Sequence, residues 1–421
     1  LNTAQESRNM TTFPCITELR IEGFKSFGSP MQRITLGPLT FIVGANASGK
    51  TNMLTALQFL QMAVLQNAEF ACNAFGGATE VRNRIVRLRT RKKSVVIGFK
   101  MDMGSAGLTF NSEEEGFQIG SFDYQVRLDL RSADQIPQIE EERLQADIQD
   151  MDGMKCKFSL TRQREKVTLF DDVTPSHRGK EQKYSVPKED ATRLALGVGF
   201  FSLPCAILRN LIEEWRFYNI SPAQARVPTR EMPDMDMGAA GENLAVMLHK
   251  LEQQNGKGNF DAIAAELRGV VPGFQGIKTT QSRAEGKWSF QVLENRIQGA
   301  MNPNSVSDGT IRLLALSVIA NWKSKVSSLV AIEEPENGLH PHLSEHVVQI
   351  LRTASEERQL LITTHNPEFL NCAEPDEVVM CDKADGLTVM RKASDVAEIQ
   401  AFRKHFSLGE LWVQGTLGGM P

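Results

Sequence analysis

Apolar residues in this chain follow several spacings, and the places where the spacing changes mark its elements. Over 16–23 they alternate with polar residues, the period of a strand with one buried face, and 33–36 can pair with it. Leu39–Val43 is apolar at four of five positions and reads as a buried strand. From Thr51 onward Leu54, Leu57 and Leu60 recur at helical spacing. Alternation returns over 94–170 in short segments, among them 95–101, 124–130 and 155–160, separated by Gly, Ser and Asp. That pattern predicts an antiparallel β lobe.

The character of the chain shifts near Asp171, where a charged, proline-containing loop is expected to run to about 190. Residues 192–215 are strongly apolar and largely helical in pattern, with Pro204 kinking or dividing the helix. A loop over 226–237 carries Pro228 and Pro233. Leu244, Leu248 and Leu251 then repeat helically, and Asn259 is placed to cap a helix bearing Phe260, Ile263, Ala264 and Leu267. Pro272-Gly273 ends that unit, and alternation at Trp288, Phe290 and Val292 predicts a hairpin. A buried-strand run reappears at 328–332, and 359–364 forms a further strand. No stretch sustains heptads, which argues against a long coiled-coil arm. The expected organisation is α/β: a first lobe over 16–170, a largely helical insertion over 171–300, and a second lobe over 301–421.

With 421 residues there is material for a sizeable core. A net charge of −4 excludes a global basic field of the kind that drives nonspecific nucleic-acid or membrane binding. DNA remains a candidate partner only locally, through the run 82–93 with its seven Arg or Lys; a solvated surface is the commoner meaning of such a run. The six cysteines are scattered without metal-ligand spacing, which suits free thiols in a cytoplasmic protein. The first ten residues are polar and read as a disordered leader. The longest uncharged run, 194–208, is shorter than the roughly 20 residues of a spanning helix, so no membrane partner is expected.

Chemistry concentrates at the strand-to-helix junction Gly44-Ala45-Asn46-Ala47-Ser48-Gly49-Lys50-Thr51, a P-loop. Glycines at 44 and 49 let successive N–H groups converge on polyphosphate oxygens. Gly44, Asn46, Ala47, Ser48, Gly49, Lys50, Thr51 and Asn52 are the expected ATP-binding residues; Lys50 reaches the β and γ phosphates and Thr51 ligates Mg²⁺. Much further along, Ser307-Asp308-Gly309-Thr310 opens a second helix whose N-terminus can take an anion. The strand over 328–332 ends in Glu333-Glu334-Pro335-Glu336. There Glu333 is the expected second Mg²⁺ ligand and Glu334 the group that activates the attacking water. His365 closes the next strand and can donate to the γ phosphate. His340, His342 and His346 invite a metal reading, but no Glu follows His342 as a zincin helix requires. Residues 25–27 border the nucleotide base or form an ordinary strand-end turn.

The order of P-loop, Ser-Asp-Gly signature, strand ending in two glutamates, Asn337-Gly338 turn and Thr363-Thr364-His365 resembles the ABC-type ATPase heads of the RecF, SMC and OLD-like class. It is closer still to small bacterial ATPases of that class, many of them in anti-phage defence systems. Ile21 to Phe27, Phe217-Tyr218-Asn219-Ile220, Asn243-Leu244 and Val271-Pro272-Gly273 share the likeness. The resemblance implies a P-loop ATPase head with an inserted β lobe and a helical lobe, and a homodimer or higher homo-oligomer that clamps ATP between protomers. Ser307 and Gly309 of one chain would then contact the γ phosphate on the other chain's P-loop. A separately encoded effector is the implied partner; the alternatives are a DNA-repair or DNA-maintenance ATPase of RecF or SMC type, and a slow ATP-dependent scaffold that sequesters its partner. Two points depart from the family: Glu333 stands where most such heads have Asp, and no pattern chooses between Gln118 and Gln125 as the Q-loop residue. The 56 residues after His365 are too few for the nuclease of OLD proteins, and 409–419 resembles the docked tail of this family, with Trp412 packed.

Overall fold

The computed structural model describes residues 11–85, 94–105, 107–111, 116–130, 136–173, 179–198, 202–233, 235–254, 258–322 and 328–416. Its central sheet has six strands in the order Arg216–Tyr218, Leu329–Glu333, Gln359–Thr364, Leu39–Val43, Val378–Ala384 and Leu387–Lys392. The first five run parallel and the last is antiparallel. Gln359–Thr364 and Leu39–Val43 are buried at every residue. Both faces of such strands are covered, which is why their sequences lack strict alternation.

Neighbouring residues of these strands serve opposite layers. Ile42, Ala331, Leu361 and Val379 share one core with Met53, Leu57 and Leu60 of the helix Lys50–Leu65. Phe41, Val43, Ile332 and Ile362 share the other with Leu313 and Leu314 of the helix Asp308–Asn321. Helices Leu244–Gln253, Gly258–Val270 and Ser344–Ala354 complete that second layer through Leu248, Ile263 and Val347.

Beyond the P-loop helix lies a nine-stranded antiparallel sheet. It contains the lobe expected over 94–170 and is extended by Cys15–Glu22 and Gln32–Thr35, which pair as their alternation implies. Gln359 joins the two large sheets: its Nε2 donates to the carbonyls of Ile16 (2.8 Å) and Gly37 (2.9 Å), and its Oε1 accepts from the Ile16 N–H (2.9 Å). The buried Glu142 carboxylate accepts from Tyr124 Oη (2.8 Å) and from the N–H groups of Ala195 (2.6 Å) and Leu196 (2.9 Å), pinning that segment to the sheet.

Two local readings are corrected. The region expected as loop to about 190 contains the strand Lys180–Ser185, paired with Lys166–Asp171 at the sheet edge. An exposed edge needs no apolar face, so its Lys-Glu-Gln-Lys sequence shows no alternation. Asn259 is no cap: the helix already includes Gly258, and Asn259 Nδ2 donates to the Asn321 carbonyl at 3.2 Å. Pro204 lies in the first turn of the helix Leu203–Glu213, where its missing N–H costs nothing, and divides it from Ala195–Val198. The hairpin forms from Phe274–Gln281 and Lys287–Glu294. At the other end, Trp412 is buried and Gly409 N–H donates to Asn371 Oδ1 at 2.9 Å, so the start of the tail is docked; of the expected 409–419, 417–419 lie outside the described residues.

Candidate nucleotide site

Leu39–Val43 delivers the loop to the C-terminal edge of the parallel sheet, where Lys50–Leu65 begins. Gly49 has φ 117°, and a Cβ there would meet Thr388 Oγ1 at 2.2 Å. A Cβ on Gly44 would meet the Cys381 carbonyl at 2.3 Å. The back of the loop is therefore closed against the neighbouring strands, and its exposed residues are Asn46, Ala47 and Thr51. The N-cap of the P-loop helix is Gly49, which has no side chain to cap it. The N–H groups of its first turn lack intrahelical acceptors and the helix dipole adds positive potential, which fits a polyphosphate. Asn52 turns away to donate to Ser26 Oγ at 2.7 Å.

Lys50 is buried; its Nζ donates to the carbonyls of Gly44 (2.6 Å) and Ala45 (3.2 Å). Burial pushes its pKa down, and Glu334, Cys381 and Glu336 oppose that shift. Thr51 Oγ1 donates to Glu333 Oε2 at 3.1 Å. A hydroxyl and a carboxylate at this distance are a suitable pair of oxygen donors for Mg²⁺. Burial raises the Glu333 pKa, the Thr51 hydrogen bond lowers it, and the Glu334 charge raises it. A cation there would relieve the burial penalty.

Glu334 has φ 43°, a left-handed backbone that costs on the order of 1–3 kcal/mol in a residue other than glycine. Its N–H donates to the Thr363 carbonyl at 2.9 Å, while Asn337 Nδ2 donates to Oε2 (2.7 Å) and His365 Nδ1 lies 3.3 Å from Oε1. Glu336 is more buried than Glu333 or Glu334. It accepts from the Thr364 hydroxyl and from the His365 N–H (3.3 Å), fixing the backbone that carries His365. Burial raises the Glu336 pKa against these hydrogen bonds.

Ser307, Asp308 and Gly309 stand apart from this cluster. Ser307 caps its helix, accepting from Thr310 N–H at 3.2 Å, and both Ser307 and Asp308 are exposed. Among the described residues no hydrogen bond or ion pair joins them to the P-loop; Gly309 instead faces the turn at Gly338, whose carbonyl a Cβ would meet at 3.0 Å. The structure thus gathers Lys50, Thr51, Glu333, Glu334 and His365, and leaves the signature on a surface of its own.

With this geometry in hand, the comparison with protein families is specific. Residues 39–371, more than three quarters of the 421, match the family described as "AAA domain, putative AbiEii toxin, Type IV TA system". The chain belongs to this AAA family. The match begins with the P-loop strand and ends past His365, so it takes in every residue of the site. No curated protein matches the chain. Solved structures similar to this AAA protein include an SMC head with an extended coiled coil bound to the C-terminal domain of ScpA, from Pyrococcus furiosus (15% identity, 93% of this chain, 100% of that chain, TM-score 0.49). An SMC head with a coiled coil and joint from Pyrococcus yayanosii gives 12%, 93%, 100% and 0.49, and the Thermotoga maritima SMC head 14%, 90%, 98% and 0.39.

Several residues around the site carry little or no sequence signal for the contacts they make. Glu336 could have been suspected from the Glu-Glu-Pro-Glu run, but its role depends on reaching Thr364 across the sheet. Thr388, in the edge strand, donates to the Ser48 carbonyl at 2.7 Å and lies 2.7 Å from Ser26 Oγ. Arg312 is buried one turn into the signature helix, facing the charges of Glu336, Asp308 and Glu334. The 25–27 turn touches the site from behind through Ser26, while Lys25 Nζ lies over the Phe75 ring at 5.3 Å. Gln125 is engaged with Arg20 at 3.3 Å, and Gln118 shares its strand. Of the basic run, 86–93 lies outside the described residues; Arg82 Nη1 donates to the Leu130 carbonyl at 3.1 Å and Arg84 pairs with Glu80. His340 and His342 face each other, whereas His346 Nε2 lies 3.3 Å from Glu266 Oε1. No helix among the described residues is long and apolar enough to cross a membrane.

Proposed function

We propose that this AAA-family protein hydrolyses ATP in composite sites formed when two copies close around the nucleotide, and that its nucleotide state controls a separately encoded effector. The observation that carries the hydrolytic part is the posture of Glu334: a strained carboxylate, oriented by Asn337 and His365, beside the Thr51–Glu333 pair. A solvent-facing acid would need neither the strain nor two polar partners.

In this reading Gly44–Thr51 binds the phosphates through loop N–H groups and Lys50 neutralises the β and γ charges. Mg²⁺ bound by Thr51 and Glu333 would supply further positive charge to the phosphate oxygens. Glu334 takes a proton from the attacking water, Asn337 holds the carboxylate in place, and His365 donates to the γ phosphate. Ser307 and Gly309 serve the γ phosphate of the second copy. The exposure of Ser307, and the absence among the described residues of a hydrogen bond or ion pair from either to their own P-loop, support that part. The family description, with its AbiEii toxin and type IV TA system, accords with a defence role in which the ATPase governs a toxic or modifying partner.

Glu334→Gln tests the chemistry. It should retain ATP, lower turnover by about 10²–10⁴-fold and accumulate an ATP-bound dimer in light scattering. Hydrolysis at the wild-type rate would refute the assignment. Purification of the native complex then tests effector control, which fails if activation of no co-purified partner changes between the ATP and ADP states.

A further inference from the structure

The signature loop is gripped by a residue far from it in sequence. Arg226 Nε donates to the Pro303 carbonyl (2.9 Å), and its Nη2 donates to the Val306 carbonyl (2.8 Å) and to Asp308 Oδ1 (2.6 Å). One planar guanidinium therefore fixes both ends of the segment that leads into the helix Asp308–Asn321, a geometry lysine cannot reproduce. The Arg226 side chain is 14% exposed and that of Asp308 70%, so the arginine lies beneath the loop and the acid at its rim. Arg226 is itself well anchored. It follows the short helix Pro222–Ala225, which Ser221 caps and which the Ser221 N–H bond to the Ala240 carbonyl (3.0 Å) holds down. Upstream, Arg216–Tyr218 runs parallel beside the strand that ends in Glu333.

Asp308 poses an electrostatic problem that this contact solves. It lies in the first turn of its helix, where a carboxylate is attracted to the free N–H groups and to the dipole. Left unpaired, it would occupy the end of the helix and repel any second anion. The Arg226 contact draws Oδ1 aside and neutralises it, while Ser307 accepts from Thr310 N–H. We propose that Arg226 is a positioning residue of the composite site, which shapes the 303–308 loop and restrains Asp308 so that the signature can receive the γ phosphate of a second copy. This rests on the composite-site reading above.

The experiment measures ATP-dependent dimerisation by light scattering in a Glu334→Gln parent, with and without Arg226→Ala, Arg226→Lys, Asp308→Asn and Arg226→Ala/Asp308→Asn. Binding of a fluorescent ATP analogue to dilute monomer is measured in parallel. Arg226→Ala should bind the analogue within about twofold of the parent yet dimerise about 10–100-fold more weakly, the scale of losing charge-assisted hydrogen bonds. Arg226→Lys should be intermediate. Adding Asp308→Asn to Arg226→Ala should recover at least about threefold, because the unpaired charge is then gone; a purely structural defect would not respond in this way. Arg226→Lys keeps the charge in a flexible chain and gives a second reading if the alanine variant is unstable. Dimerisation of both Arg226 variants at parental strength, or no recovery from Asp308→Asn, overturns the proposal while leaving the composite site intact. Failure of the parent itself to dimerise with ATP refutes the composite site, and this role with it.

Discussion

Thr388→Val isolates how much of the P-loop's shape is imposed from outside the motif. Thr388 Oγ1 lies 2.7 Å from the Ser48 carbonyl and 2.7 Å from Ser26 Oγ, and Ser26 Oγ accepts from Asn52 Nδ2 at 2.7 Å. A hydroxyl has one hydrogen and a carbonyl can only accept, so Thr388 donates to Ser48 and Ser26 donates to Thr388. Valine preserves the shape and removes both functions. It leaves the carbonyl of the 4%-exposed Ser48 without its donor, at about 1–3 kcal/mol for an orphaned buried acceptor. If about half of that falls on the loop conformation that binds phosphate, ATP affinity drops roughly 3–10-fold, since about 1.4 kcal/mol is tenfold. Titration of a fluorescent ATP analogue reads the affinity, with Thr388→Ser as the control that keeps the hydroxyl. Thermal unfolding with and without ATP separates the effects: a general loss of stability lowers both midpoints equally, whereas a disordered loop shrinks the shift that ATP induces. Unaltered affinity together with an unaltered ATP-induced shift would refute the claim that the edge strand organises the loop.

Further expectations address the rest of the site and its supports. Asn337→Ala frees Glu334 Oε2 from a 2.7 Å hydrogen bond and should lower kcat about tenfold at nearly constant KM; a change confined to KM would assign Asn337 to nucleotide binding instead. Gln359→Leu leaves the Ile16 N–H and the Ile16 and Gly37 carbonyls without their side-chain partner, so chemical denaturation should show a loss of about 3 kcal/mol or more, and a loss below about 1 would remove Gln359 as the tie between sheets. Burial raises the Glu266 pKa from 4.5 to about 7, with Ser317 opposing. The unfolded chain therefore releases this proton first, so wild-type stability falls as pH rises from about 4.5 to about 7 and is level above that. The full shift is worth about 3 kcal/mol, which partial exposure of the side chain reduces to about 1. Glu266→Gln should flatten that slope and raise the melting temperature above pH 7; an unchanged slope would show that Glu266 ionises normally.

What could be read from the sequence and what could not divide along a physical line. The P-loop, the two buried strands beside it and the antiparallel lobe were legible because each rests on local order: backbone angles that only certain residues tolerate, or a spacing that follows the pleat. Adjacent apolar residues, Phe41-Ile42-Val43 and Leu360-Leu361-Ile362, report that both faces are covered, and the two cores on either side of the sheet account for it. The Lys180–Ser185 strand escaped because an edge needs no apolar face, and Asn259 misled because a capping residue type also makes ordinary tertiary hydrogen bonds. Thr388, Arg226 and Glu336 act over sequence separations of 340, 82 and 28 residues. Nothing in the neighbourhoods of Thr388 and Arg226 distinguishes them from surface polar residues, and the run that holds Glu336 does not show its reach to Thr364. Yet each holds in place something the motifs supply: Thr388 the loop, Arg226 the signature, Glu336 the backbone of His365. The motif residues state which reaction is possible, and residues without a motif fix the geometry in which it can happen. Substitutions at Thr388, Arg226 and Glu336 should therefore separate ATP binding, dimer closure and turnover more cleanly than substitution of Lys50, whose loss would abolish all three together.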